Sequence, residues 1–243
     1  MKPSYAMVNI MQYCEQNTFL ESEYQLLYQQ TGLAKAAIVT LQQEGRLQEL
    51  PVVQKAFFDK HVIQCKANTI CSKEERIVYE PETDNGLDWR KRIPCVEDGD
   101  ILITFNCHVL GWRNGHAALV IDAEQGLTLE ARVLGSDSAI MSIKHWLDYP
   151  SFAVLRLKKT SREEREEIAT YAETFMTEIP YRLTAVARKQ EPLSGTQCAH
   201  LVWAAYAAFG YNLDSDGGFI VTPNDLYRSI LLDTVQVYGM PLR

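Results

Sequence analysis

The chain has 243 residues, 47% of them hydrophobic, and a formal net charge of −7. That composition supplies one good core with a small accessory unit and excludes a disordered chain. The acidic balance argues against nucleic acid as the main partner, and no run approaches the roughly 20 apolar residues of a membrane span.

The N-terminus, MKPSYAMVNIMQYCEQNTF, lacks a signal-peptide stretch, so a cytoplasmic protein is expected. Six cysteines at irregular spacings do not form a disulfide framework and fit a reducing compartment. Between Phe19 and Phe58, Tyr24, Leu27 and Tyr28, then Ala37, Ile38 and Leu41, then Val52, Val53, Ala56 and Phe57 recur at helical spacing. Gly32 and Gly45 break the pattern, predicting two or three short helices. The stretch TGLAKAAIVTLQQEGR invites a helix-turn-helix label, but its acids balance its bases, and short helices packed on a neighbouring unit suit it better.

Residues 65–94 are polar and poorly periodic, with EPETDNG reading as a linker or long loop. The predicted division is therefore an N-terminal helical segment and linker over 1–94, followed by a domain over 95–243. Strand-like runs follow at Asp100–Phe105, His116–Ile121, Leu127–Val133 and Phe152–Leu157. Next come the amphipathic SREEREEIATYAETFMTEI, a loop with Pro180 and Tyr181, the apolar helix opened by Cys198, the short helix TPNDLYRSI and a final strand at Thr234–Tyr238. This order is α+β, an antiparallel sheet packed on helices.

Cys198 follows Ser194, Gly195, Thr196 and Gln197, a loop and N-cap composition, and precedes Leu201, Val202, Ala205 and Ala208 at helical spacing. The positive field of a helix N-terminus favours thiolate, the form that attacks carbonyl carbon. Cysteine is also a common small core residue, so a base must be found. His116 opens an apolar strand directly after Asn114-Gly115, and Glu130 is a lone carboxylate between Leu129 and Ala131 on the next strand. A three-residue loop of Glu124, Gln125 and Gly126 would set Glu130 opposite Val120, on the face of His116 but offset by about 13 Å; a four-residue loop would put them on opposite faces. A bulge or strong coiling would have to close the gap. His61, His108, His145 and His200 are rival bases, and Glu130 could instead pair with Arg132 or Arg156. His61, Cys65, Cys71 and Cys95 lack the paired close spacings of a structural zinc site, so no metal is expected.

The ordered motifs GDILITF, GHAALVID, LEA, PYR, TQCAHLVWAAYAAFG and TPNDLY resemble the circularly permuted branch of the papain-like NlpC superfamily, of the YiiX-like kind, from about Asp98 to the C-terminus. The resemblance implies a permuted papain-like domain with Cys198 as nucleophile, His116 as general base and Glu130 as the residue that fixes the imidazole. It places Tyr181 in the substrate site, helping to polarise the carbonyl, beside Gln197, with the Cys198 N–H as an oxyanion donor. No cofactor is required. The chain departs from the Asp-Cys-Ser of non-permuted members, and its Cys-x-His is similar to the lecithin:retinol acyltransferase relatives.

The function expected on these grounds is a cysteine hydrolase that cleaves a peptide or cell-wall-fragment amide through a thioester. Two alternatives stay open: acyl transfer or ester cleavage on a lipid, and a binding module on the same fold that has lost its chemistry. Oligomeric state is not legible.

Overall fold

A computed structural model describes residues 5–59, 61–78, 89–187 and 193–241. Helix α1 (Glu21–Thr31) starts where the Glu23 side chain accepts the Leu20 N–H and ends at Gly32, which has φ +73°. A Cβ at Gly32 would meet the Val237 carbonyl oxygen at 1.9 Å, so only glycine lets the chain lie this close. Helices α2 (Lys35–Gln43) and α3 (Leu50–Phe58) follow.

Strands β1 (Val62–Thr69) and β2 (Ser72–Val78) form a hairpin. The sheet strands are β3 (Ile101–Thr104), β4 (Cys107–Val109), β5 (His116–Asp122), β6 (Leu127–Glu130), β7 (Ala139–Ser142), β8 (Phe152–Leu157) and β9 (Leu232–Tyr238). Helices α4 (Arg162–Phe175), α5 (Cys198–Ala208) and α6 (Pro223–Arg228) lie between β8 and β9. Their starts are capped by the Ser161, Gln197 and Thr222 side chains respectively.

The fold is α+β with antiparallel sheets. A six-stranded sheet runs β7-β6-β5-β3-β8-β9, and a three-stranded sheet runs β1-β2-β4. Both faces of the large sheet are covered, which explains why β3 is buried throughout. Ile101, Ile103, Ala117, Leu119 and Leu155 face Ile168 and Ala172 of α4 and Leu201, Val202 and Tyr206 of α5. Leu102, Ala118, Val120, Val154 and Val235 face Leu27, Leu33, Ile38, Leu41 and Val53 of the N-terminal segment. The alternation of period two divides each strand between these layers.

Several expectations change. The N-terminal helices share a core with the sheet: Leu33 bridges Gln236, the Ala34 N–H donates to Val235 O at 2.9 Å, and buried Cys95 donates to Ala37 O. A division near Cys95 thus cuts one continuous core. The apolar face of α2 is spent on the sheet, which leaves the helix-turn-helix pattern a packing signal. Part of the polar stretch read as linker is the β1–β2 hairpin, because β2 finds backbone partners on β4, and its Ile77 is buried. EPETDNG lies outside the described residues. The strand expected over Leu127–Val133 stops at Glu130, and β7 was not foreseen. Among the described residues, no helix is long and apolar enough to cross a membrane.

Candidate active site

The β5–β6 turn decides how two of the predicted residues meet. The turn spans Ala123–Gly126 between the paired Asp122 and Leu127, and Asp122 accepts the Gln125 N–H at 2.7 Å. Four residues alone would place His116 and Glu130 on opposite faces. A bulge between Val120 and Asp122 inserts one more residue and restores the parity. Val120 then pairs with Thr128, which puts Glu130 opposite Ala118, only two residues from His116. On a diagonal of about 7 Å the side chains meet.

His116 Nε2 lies 2.7 Å from Glu130 Oε2. The His116 ring stacks on Trp146, with centroids 5.5 Å apart and planes 15° apart. Gly115, at φ +79°, brings the chain against Thr104, where a Cβ would come within 2.6 Å of a carbonyl oxygen. The ring's other side borders the Cys198 thiol, close enough for the sulfur to act on the imidazole's pKa, and because Nε2 is taken by Glu130, Nδ1 is the nitrogen left for sulfur. Helix α5 belongs to the opposite layer, so thiol and imidazole meet at the end of the sheet, where β5 begins.

Glu130 is 1% exposed. Its Oε1 accepts Thr128 Oγ1 at 2.6 Å, His145 Nε2 at 2.7 Å and Trp146 Nε1 at 2.9 Å. Burial alone would raise its pKa, but the bonds from His116 and His145 hold it well below the carboxylate range. Burial likewise works to lower His116, and the bonds to Cys198 and Glu130 overcome it, raising the imidazole to about 9. A raised imidazole pKa keeps a positive charge beside the sulfur. Elsewhere burial pushes the Cys95 and Cys107 thiols up to about 12, away from nucleophilic character.

Gln197 caps α5: its Oε1 accepts the Ala199 N–H at 2.9 Å and lies 3.6 Å from Cys198 Sγ, while its Nε2 donates to Val221 O at 2.6 Å. Both ends of the amide are therefore committed to holding the nucleophile's helix. Tyr181 is fastened by its N–H to Ser136 O and by a bridge to Thr196, and it lines the same cleft. Burial, then the nearby Cys198, raises its phenol above the ordinary value, so the hydroxyl keeps its proton.

The rival histidines are elsewhere engaged. His61 meets the Tyr238 hydroxyl, His108 pairs with Glu75, and His200 Nδ1 lies 3.0 Å from Thr196 Oγ1. His145 does join the site, on the far side of Glu130 from His116. Trp146 and Thr128 join it too, and no sequence signal distinguished them. Arg132 and Arg156 do not pair with Glu130: Arg132 approaches Glu74, and Arg156 holds Asp100. Cys65 is exposed, Cys95 is buried against Ala37, and Cys71 contacts Thr69, so these thiols form no common site with His61. Asp214, Asp216 and Asp225 are the one group of candidate metal ligands among the described residues, at the start of α6.

The cleft has a volume of about 470 Å³. One wall comes from Asn68, Ser72, Lys73 and Glu74 of the β1–β2 hairpin, together with Cys107 and His108 of β4. Opposite lie Tyr181, Leu183 and Ile220–Asn224, with Cys198 and His116 between them.

No family model and no curated protein matches this chain. Among solved structures, the metalloprotein yiiX from Escherichia coli O157:H7 is similar at 15% identity and a TM-score of 0.44, over 57% of this chain and 96% of that one.

Proposed function

We propose that the chain is a cysteine hydrolase, a permuted papain-like domain of the YiiX-like kind, that cleaves a peptide or cell-wall-fragment amide through an acyl-enzyme. One observation carries this reading: a thiol at a helix N-terminus borders an imidazole whose other nitrogen is held by a buried carboxylate. This is the thiol, base and orienter that covalent acyl transfer requires.

The Cys198 thiolate attacks the carbonyl carbon, forming the C–S bond, and negative charge moves onto the carbonyl oxygen. The Cys198 backbone N–H, at the first position of α5, is one of the helix's donors without an intrahelical acceptor and serves that oxyanion. The protonated Tyr181 hydroxyl supplies a second donor. As the C–N bond breaks, the His116 N–H protonates the leaving amine. His116, now neutral, takes a proton from water, hydroxide adds to the thioester, and the acid leaves as thiolate and imidazolium re-form. Glu130 keeps the ring in place and stabilises its charged form.

Mass spectrometry tests the reading. Iodoacetamide below pH 7 should label Cys198 ahead of the other five cysteines. A substrate found by screening peptide amides should leave an acyl adduct on Cys198, and Cys198→Ala should lower turnover by about 10⁴-fold or more. Full turnover by Cys198→Ala would overturn the assignment. Exposed Trp112 and Ile220 at the cleft favour a second reading, cleavage or transfer of an apolar acyl ester, and adducts with acyl esters but not peptides would select it.

A further inference from the structure

Resting on the thiol-hydrolase reading, the geometry points to a substrate that carries a carboxylate or phosphate, which the cleft binds through Lys73 and Arg132. In a chain of net charge −7, the residues lining the cleft include three cations, Lys73, Arg113 and Arg132, and a single carboxylate, Glu74.

That carboxylate is already satisfied. Glu74 is 3% exposed and accepts Arg76 at 2.8 Å and the Tyr149 hydroxyl at 3.1 Å. Burial works to raise its pKa, and the bond and charge of Arg76 hold it below the usual range. Arg132 reaches Glu74 only at 3.3 and 3.5 Å, beyond the best length for a charge-assisted bond. Its donors are thus poorly used. Arg113 is spent on Glu75, at 2.6 Å. Lys73 is exposed and makes no ion pair among the described residues.

Even counting Glu74, the lining cations exceed the acids by two (three minus one). A wall of low dielectric concentrates such an excess on whatever enters. Because Lys73 and Arg132 line the cleft that also holds Cys198, the anion would be part of the substrate, not a separate ligand.

Paired alkylating probes read this charge. The rates of Cys198 alkylation by iodoacetate, an anion, and iodoacetamide, its neutral analogue, are measured by mass spectrometry at fixed ionic strength. The iodoacetate-to-iodoacetamide ratio should fall about fivefold in Lys73→Gln and Arg132→Gln, as expected for removing one partly screened charge from the cleft. Lys73 is exposed, so its variant keeps the test valid if Arg132→Gln fails to fold.

Competition against iodoacetamide labelling identifies the source of the charge. Stronger slowing by N-acetylglycine than by N-acetylglycinamide indicates a carboxylate, and stronger slowing by glycerol 3-phosphate than by glycerol indicates a phosphate. Selective labelling of Cys198 with a ratio unchanged in both variants would overturn the anion site alone. Slow, unselective labelling by both reagents would remove the nucleophile, and this proposal with it.

Discussion

Two buried carboxylates anchor this molecule, and they are built for opposite purposes. Asp100, fully buried, receives two bonds of 2.8 Å from Arg156, which also reaches Glu97 and the Cys95 carbonyl. Glu97 in turn holds Arg165 of α4. The donors are guanidinium groups that stay protonated at any ordinary pH, so the cluster is a permanent tie between the sheet and α4. Glu130 is as deeply buried, but its partners include two histidines, whose imidazoles, unlike guanidinium, can give up a proton. Equal burial therefore does not imply equal function. What separates the two is whether a partner can give up its proton and whether it borders an open cleft.

The largest expected effect strikes the structural cluster. Arg156→Met leaves Asp100 and Glu97 without their main partner and should cost about 3–5 kcal/mol of unfolding free energy, measured by chemical denaturation. Loss of Cys198 reactivity in that variant should appear only where it is unfolded. A folded, inactive protein would break the division between the two clusters.

Glu130→Gln should do the reverse, lowering turnover by about 10²-fold while the protein stays folded, since it removes the carboxylate that stabilises imidazolium. In the wild type His116 is raised from 6.5 to about 9. A raised value means that its stabilising contribution is complete below about pH 6.5 and is lost as pH climbs through about 9. The alkaline limb of the turnover–pH profile, where the imidazolium must protonate the leaving amine, should therefore move to lower pH in Glu130→Gln. An unmoved limb would assign the raised pKa to another cause.

The smallest effect belongs to His145. It touches Glu130 and not the thiol, so His145→Gln should slow turnover about tenfold and shift the same alkaline limb less than Glu130→Gln does. His145→Ala, with no donor for Oε1, should be worse than His145→Gln. Equal behaviour of the two would reduce His145 to a packing residue.

Much of the fold was legible because its signals are local. The apolar runs in ILIT and HAALVID, the acid-rich start of α4 and the Thr222-Pro223 start of α6 depend on residues a few positions apart. Cys198 at a helix start was legible for the same reason. The β1–β2 hairpin was not, because its polar strands are stabilised by backbone bonds to β4 and not by an apolar face of their own. The N-terminal helices looked separable since a helix's apolar stripe does not name the surface it will cover.

What the sequence determined by itself was the chemistry in stock: a thiol at a helix N-terminus, a histidine opening a strand, a carboxylate on the next strand. Whether these could meet was decided only in three dimensions. A one-residue bulge in β5 reversed the parity of a four-residue turn and shortened the offset between His116 and Glu130 to two residues. Tertiary packing also recruited His145 and Trp146 to Glu130 and set Lys73 and Arg132 along the cleft that holds Cys198. The physical reason is that side-chain direction along a strand alternates with every residue, so one inserted residue redirects everything beyond it.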